Sequence, residues 1–362
     1  MKYFPRPDAI AALDAPVIRK IFPRYREVVR GQLPAVFQIL KEIKAEFDER
    51  ADIEALWDVH ERSMRVFYEI RRKIDAGEIR PEDQITEERS LLDLKLLLVK
   101  RIMESCQLCE RRCKVNRWAG ELGICRVGDR CLISSEFIHM GEEPYITPSH
   151  TIFFMGCPLK CQFCQNWAIS QWYEEGTEIE GKTLAGIIDE RKKEGARNVN
   201  FVGGEPTPQL FWIIESLKYC NENVAVVWNS NMYMTEKTMN ILNGVVDMYL
   251  SDFKYGNDGC ALRLSKVNGY FGVASRNHLI GSGHAEMTVR HLVLPGHIEC
   301  CTKPVLKWIA ENIRERCLVN LMDQYYPCWK AHLYPDINRR LTQGEFEDAV
   351  GLATLAGLNF IR

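Results

Sequence analysis

Fourteen cysteines set the chemistry of this 362-residue chain. Eight fall between Cys106 and Cys164 and none in the first 105 residues. A chain of this size needs no disulfide staples, so such clustering points to metal or cluster ligands. Cys157-x3-Cys161-x2-Cys164 directly follows an apolar run over residues 151–156. Three thiolates from one loop can hold three irons of a [4Fe–4S] cubane and leave the fourth iron open for chemistry. The competing role is a zinc ion whose fourth ligand comes from elsewhere, which the spacing favours less.

Upstream stands a second set, Cys106-x2-Cys109-x3-Cys113-x11-Cys125, with Cys131 as a fifth thiol nearby. Four thiolates with a short first gap suit an auxiliary [4Fe–4S] cluster or structural zinc, and spacing does not choose between them. The other cysteines are scattered, and core filling is their default role. Cys300, Cys301 and Cys328 lie near predicted strand ends, where one could donate a hydrogen atom.

Elements that could position these residues follow from periodicity. Apolar residues recur at helical spacing from Leu33 to Phe47 and from Ile53 to Phe67. Gly77 and Pro81 punctuate the second pattern. Thr86 is the expected cap of a further helix running to Met103, with Glu87 and Glu88 in its first turn. From about residue 150 the pattern changes. Short apolar runs at 151–156, 198–203, 224–228, 246–253, 287–294 and 317–322 read as strands. Amphipathic stretches at 184–194, 209–221, 236–243, 303–316 and 343–356 read as helices. Six βα units argue for parallel strands with right-handed crossovers, too few for a closed eight-stranded barrel. The expected fold is α/β: a partial (β/α)6 barrel over 149–362, a cysteine-rich connecting segment over 104–148, and a helical domain over 1–103.

On that frame the polar residues gain meaning. Gly203-Gly204-Glu205-Pro206 ends the second strand and Asn229-Ser230-Asn231 the third, at the mouth where barrel ligands sit. Asp58-Val59-His60-Glu61-Arg62-Ser63 is one residue from an Asp-x-His-x-x-Gly corrin-binding signature. It falls inside a helix, so it reads as an ordinary histidine on an amphipathic face.

CQLCERRCKVNRWAGELGIC, TIFFMGCPLKCQFCQNW, GGEP, VVWNSN, YLSDFKY, VRHLVLPGH and Ile337-Asn338-Arg339-Arg340-Leu341 together resemble the radical S-adenosylmethionine (SAM) superfamily. Within it they resemble the pyruvate formate-lyase activating enzyme-like group, over roughly residues 104–362. The resemblance implies that Cys157, Cys161 and Cys164 hold a [4Fe–4S] cluster whose open iron is chelated by SAM. One-electron cleavage then gives a 5′-deoxyadenosyl radical that abstracts hydrogen, in activating enzymes from a protein glycine Cα. It also implies SAM contacts from Gly203, Gly204, Glu205, Asn229, Ser230, Asn231, Asp252, Lys254 and Arg290; an internal ion-pair network is the competing role for the charged three. An external one-electron donor of the flavodoxin or ferredoxin kind and an oxygen-protected setting follow. The chain departs from the group in two places. Glu110 stands where Cys-Pro-Arg is common, which leaves the ligands untouched. A late-barrel histidine has no counterpart in 322–327, which puts glycyl-radical activation in doubt. A cobalamin-dependent methyltransferase acting on a protein is the alternative, with the N-terminal helices or a partner protein holding the corrin.

Composition limits the remaining classes. With 47 basic and 49 acidic residues the net charge is −2, no footprint for nucleic acid or an anionic membrane. No apolar run approaches the roughly 18 residues of a spanning helix, and the first residues show no signal-peptide pattern, so a cytoplasmic location is expected. A bare iron–sulfur carrier or zinc module would need neither GGEP nor six βα units.

Overall fold

The computed structural model describes residues 6–79, 89–171 and 174–362. One sheet of nine strands organises it: β1 (Leu132–His139), β2 (Ser149–Phe154), β3 (Thr177–Glu178), β4 (Asn198–Gly203), β5 (Ala225–Ser230), β6 (Met248–Asp252), β7 (Glu286–Leu292), β8 (Cys317–Met322) and β9 (Phe360–Ile361). The spatial order is β3-β1-β2-β4-β5-β6-β7-β8-β9. Every pair from β2 to β9 is parallel, whereas β1 lies antiparallel to β2 and β3 antiparallel to β1. Parallel strands in chain order, each returned by a helix, curl into a barrel wall. The wall stays open between β3 and β9, so the fold is a partial barrel. All six strands read from the apolar runs are present, and the terminal Phe360–Ile361 adds a seventh parallel one.

Two features escaped the sequence patterns. β1 carries Ser134-Ser135-Glu136 at a register irregularity, and these polar residues break its alternation. Helices Asp258–Ser265 and Tyr270–His284 bridge β6 and β7, where Gly259, Gly272, Gly281 and Gly283 dilute the helical signal.

The N-terminal region is helical, with Pro7, Pro16 and Pro23 each opening a short helix at its first residue. The spacing over 33–47 yields only Val36–Lys41. Beyond it Ile43 and Ala45 pair by backbone with Leu91 and Arg89 instead. Ile53–Asp75 is a long helix capped by Asp52. Pro81 and Thr86 to Glu88 lie outside the described residues; the helix reaching Met103 is entered at Leu91, through a capping box of Ser90 and Asp93.

These helices plug the end of the barrel where the strands begin. The Arg24 and Tyr25 amides donate to the Glu286 carboxylate at 2.8 and 2.9 Å. Asp247, just before β6, accepts from the Val36 amide at 3.0 Å, the Val226 amide at 2.9 Å and Arg24 Nη1 at 3.2 Å. Asn198 Nδ2, at the start of β4, donates to the Tyr25 hydroxyl at 2.8 Å. The opposite end, where the strands finish, is left for chemistry.

Candidate active site

Gly156, with φ of 89°, turns the chain out of β2 into the loop of Cys157, Cys161 and Cys164. The loop is clasped from behind. Lys160 N and Gln162 N donate to the Ser265 and Leu264 carbonyls at 2.9 and 2.8 Å. Ser265 Oγ lies 2.9 Å from Cys161 Sγ, and Ser170 Oγ 3.1 Å from Cys164 Sγ. Phe163 wedges the loop between Tyr255 and Tyr325. Cys157 and Cys161 are buried and Cys164 is half-buried at the mouth. Burial pushes all three thiols up, Cys164 to about 11. The thiolate state that iron requires is therefore favoured only with a cation present, so this donor set suits a bound cluster rather than free reactive thiols.

The glycines of GGEP serve strand contact first. A Cβ on Gly203 would stand 2.2 Å from the Phe154 backbone, and one on Gly204 would stand 2.3 Å from the Gly156 carbonyl. Both glycines also line the cavity floor with the three cysteines. Glu205 ties two strand ends together. Its Oε1 accepts from Thr207 Oγ1 at 2.6 Å, Ser230 Oγ at 2.7 Å and the Thr207 amide at 3.3 Å. Its Oε2 accepts from the Asn231 amide at 2.9 Å. Burial raises its pKa against these bonds. Oε2 keeps a lone pair for a ligand ammonium. Asn231 also aims Nδ2 at Cys157 Sγ, 3.7 Å away, and Asn229 lines the cavity.

Asp252, Lys254 and Arg290 reach the same cavity, already paired. Lys254 Nζ is 2.6 Å from Asp252. Burial works to discharge Lys254, but Asp252 and Cys161 hold its pKa above the usual value. Arg290 Nε donates to Glu143 at 2.8 Å, and its Nη2 reaches both Glu142 and Glu143. Burial would raise the Glu143 carboxyl, yet Arg290 and Asn320 outweigh it and hold it below the ordinary range. Glu142 and Glu143 are contributors that the sequence motifs missed; the acid pair just before β2 was their only signal. Gln165, Asn166, Gln171 and Gln324 complete the lining, Gln324 in the stretch that lacks the late histidine. Cys300, Cys301 and Cys328 do not line it.

The upstream set folds around a buried arginine. Arg117 donates through Nε to Cys106 Sγ at 3.0 Å and through Nη2 to Cys125 Sγ at 3.1 Å. Gly123 makes room there, since a Cβ would lie 3.2 and 3.3 Å from the sulfurs of Cys113 and Cys125. A hydrogen bond with Cys106 pulls Cys113 down to about 5, and burial pushes Cys109 up to about 12. Cys131 lies apart, beside Glu215 and Glu178. Arg111 Nε donates to the Pro158 carbonyl at 2.9 Å, so this segment touches the loop of the triad. Glu110 bridges Arg112 and Arg276 at 2.7 and 3.0 Å, which gives the departure from Cys-Pro-Arg a docking role.

A model of the radical SAM superfamily matches residues 151–309, spanning the triad, GGEP and the Asp252–Arg290 network. The chain carries a radical SAM superfamily domain over those residues. Such a domain implies a [4Fe–4S] cluster and SAM. The uncharacterized protein MJ0674 of Methanocaldococcus jannaschii is 44% identical over 344 residues, 93% of this chain and 98% of that protein. Among solved structures, Streptococcus suis SuiB bound to its precursor peptide SuiA aligns with a TM-score of 0.44 and 19% identity, over 57% of this chain and 46% of SuiB. Escherichia coli QueE aligns with a TM-score of 0.39 and 12% identity, over 64% of this chain and 93% of QueE. This radical SAM chain thus spans under half the length of SuiB.

His60 is a helix-face residue here: its Nε2 lies 2.8 Å from Lys95 Nζ, and both are buried. The N-terminal helices serve as plug and flank of the barrel. Among the described residues, no helix is long and apolar enough to cross a membrane.

Proposed function

We propose that this radical SAM enzyme abstracts a hydrogen atom from a protein or peptide Cα–H, as the activating enzyme-like group does. The carrying observation is convergence. The cysteine triad, GGEP, Asn229 to Asn231 and the paired charges line one cavity at the strand ends. When bound, the cluster and SAM supply one-electron sulfonium cleavage and hydrogen abstraction. The chain's own groups hold the reactants: Glu205 Oε2 for the SAM ammonium, Asn229 and Asn231 beside it, and Asp252, Lys254 and Arg290 for its carboxylate and ribose. The mouth favours a peptide. Gln165, Asn166 and Gln324 line it with side-chain amides that can donate and accept, the complement of a peptide backbone, while Gln171 Nε2 already donates to the Leu159 carbonyl at 3.0 Å and to Ser170 Oγ at 3.2 Å.

For the upstream cysteines the proposed occupant is a second [4Fe–4S] cluster that relays the electron. Among the described residues, three or more ligand atoms meet within 4.8 Å of one another only at a different group, so these four sulfurs spread wider than one ion's coordination sphere. The Arg111 contact to the triad loop sets the two sites side by side. Exposed Leu122 and Ile124, next to Cys125, offer an apolar landing for an external donor such as flavodoxin or ferredoxin.

The test is anaerobic incubation of the iron-loaded chain with SAM, dithionite and Cα-deuterated peptides. Deuterium should enter 5′-deoxyadenosine, and Cys157→Ala should abolish product. 5′-Deoxyadenosine without deuterium from any peptide would refute the substrate class. None at all from a fully loaded protein would refute the chemistry.

A further inference from the structure

A further group of ligand-type side chains gathers cysteines that look scattered in the sequence. His297, Cys300 and Cys301 stand at i, i+3 and i+4 around the wide turn Ile298–Thr302 that follows β7. That spacing puts three ligand atoms on one face of a helical turn. Cys260, in the first turn of the Asp258–Ser265 helix, faces them from the segment that connects β6 to β7.

The distances describe a tetrahedron. Cys260 Sγ and Cys301 Sγ each stand 3.9 Å from Cys300 Sγ. His297 Nδ1 lies 3.2, 3.6 and 3.7 Å from the sulfurs of Cys300, Cys260 and Cys301. A four-coordinate zinc with Zn–S of about 2.3 Å and Zn–N of about 2.0 Å has edges of about 3.8 Å between sulfurs and about 3.5 Å from sulfur to nitrogen. A cubane cluster would need the thiolates farther apart, since each binds a different iron.

The surroundings are those of a metal site. His297 Nε2 is 2.9 Å from Asp336 Oδ2, and Arg263 holds Asp336 in turn, which aims Nδ1 at the thiols. Asn257 Nδ2 donates to Cys260 Sγ at 3.3 Å and to the Cys300 carbonyl at 2.7 Å. Gly256 permits the approach, since a Cβ there would stand 2.6 Å from the Cys301 carbonyl.

We propose that Cys260, His297, Cys300 and Cys301 bind one zinc ion in a closed Cys3His site. Four protein ligands leave no open position, so the ion is structural. It pins the Asp258–Ser265 helix to the turn after β7. The far end of that helix carries Leu264 and Ser265, which clasp the triad loop and touch Cys161. The zinc therefore braces the triad loop from outside the cavity. Binding does not depend on the substrate proposed above.

The test is metal analysis and zinc-edge X-ray absorption on the full chain purified anaerobically from zinc-supplied cells. About one zinc per chain is expected, with a shell of three sulfurs and one nitrogen. Cys260→Ser and Cys300→Ser should each lower zinc about fivefold or more with iron unchanged, whereas Cys106→Ser should leave zinc in place. Cys260→His, which keeps a ligand, should retain it. Zinc-free wild-type protein, a four-sulfur shell, iron in place of zinc, or zinc that survives loss of Cys260 and Cys300 would each overturn the site. The wild-type spectrum decides even where a variant fails to fold.

Discussion

Replacing Glu205 by glutamine separates its two roles. In the folded chain Oε1 accepts three hydrogen bonds and Oε2 one, from the Asn231 amide. Glutamine can keep its oxygen at the Oε1 position and retain all three. Its NH2 then faces the Asn231 N–H, donor against donor, at a cost of about 1–3 kcal/mol. Removing a buried charge that burial already disfavours offsets part of this. Net stability should fall by no more than about 2 kcal/mol. A SAM ammonium would lose a charge-assisted bond of about 1.5–3 kcal/mol, weakening SAM binding about 10- to 150-fold. Urea unfolding reads the first quantity and anaerobic equilibrium dialysis the second. SAM affinity within about twofold of wild type, alongside lost stability, would refute a ligand role and leave Glu205 as a strut between β4 and β5.

Other expectations address other parts of the molecule. Asp247→Ala leaves two buried amides and Arg24 without their acceptor, so it should cost about 3 kcal/mol or more in urea unfolding. SAM affinity at the opposite barrel end should stay unchanged if the N-terminal helices are only a plug. Arg117→Leu removes a buried cation and two N–H···S bonds, so the potential of an upstream cluster should move negative in a redox titration; no titrating species there would mean zinc. His278 stacks on Phe253, and burial holds its pKa at about 4, below the ordinary histidine value of about 6.5. A depressed pKa gives stability that is present above the unfolded value and lost as pH falls towards 4. Wild type should lose about 2 kcal/mol between pH 8 and pH 5 that His278→Phe does not lose, by urea unfolding at both pH values.

The triad was legible because its three thiols sit on one short loop, and local spacing suffices where ligands are neighbours in the chain. The same holds for the parallel strands, whose apolar runs report burial on both faces, and for GGEP at the end of one of them. His297, Cys300 and Cys301 are equally local, but their spacing gains meaning only when Cys260 arrives from another element. Arg290 meets Glu142 and Glu143 across some 147 residues of chain, and Asp247 meets Val36 across 211. No periodicity records such meetings, because sheet order and helix packing decide which distant groups share a site. The chain alone therefore determined the parallel strands, most of their returning helices and the radical SAM motifs, but not β1 or the helices Asp258–Ser265 and Tyr270–His284. Only the tertiary structure decided that the N-terminal helices plug the far end of the barrel, that the cavity's cations are already paired, and that four scattered ligands converge behind the triad loop.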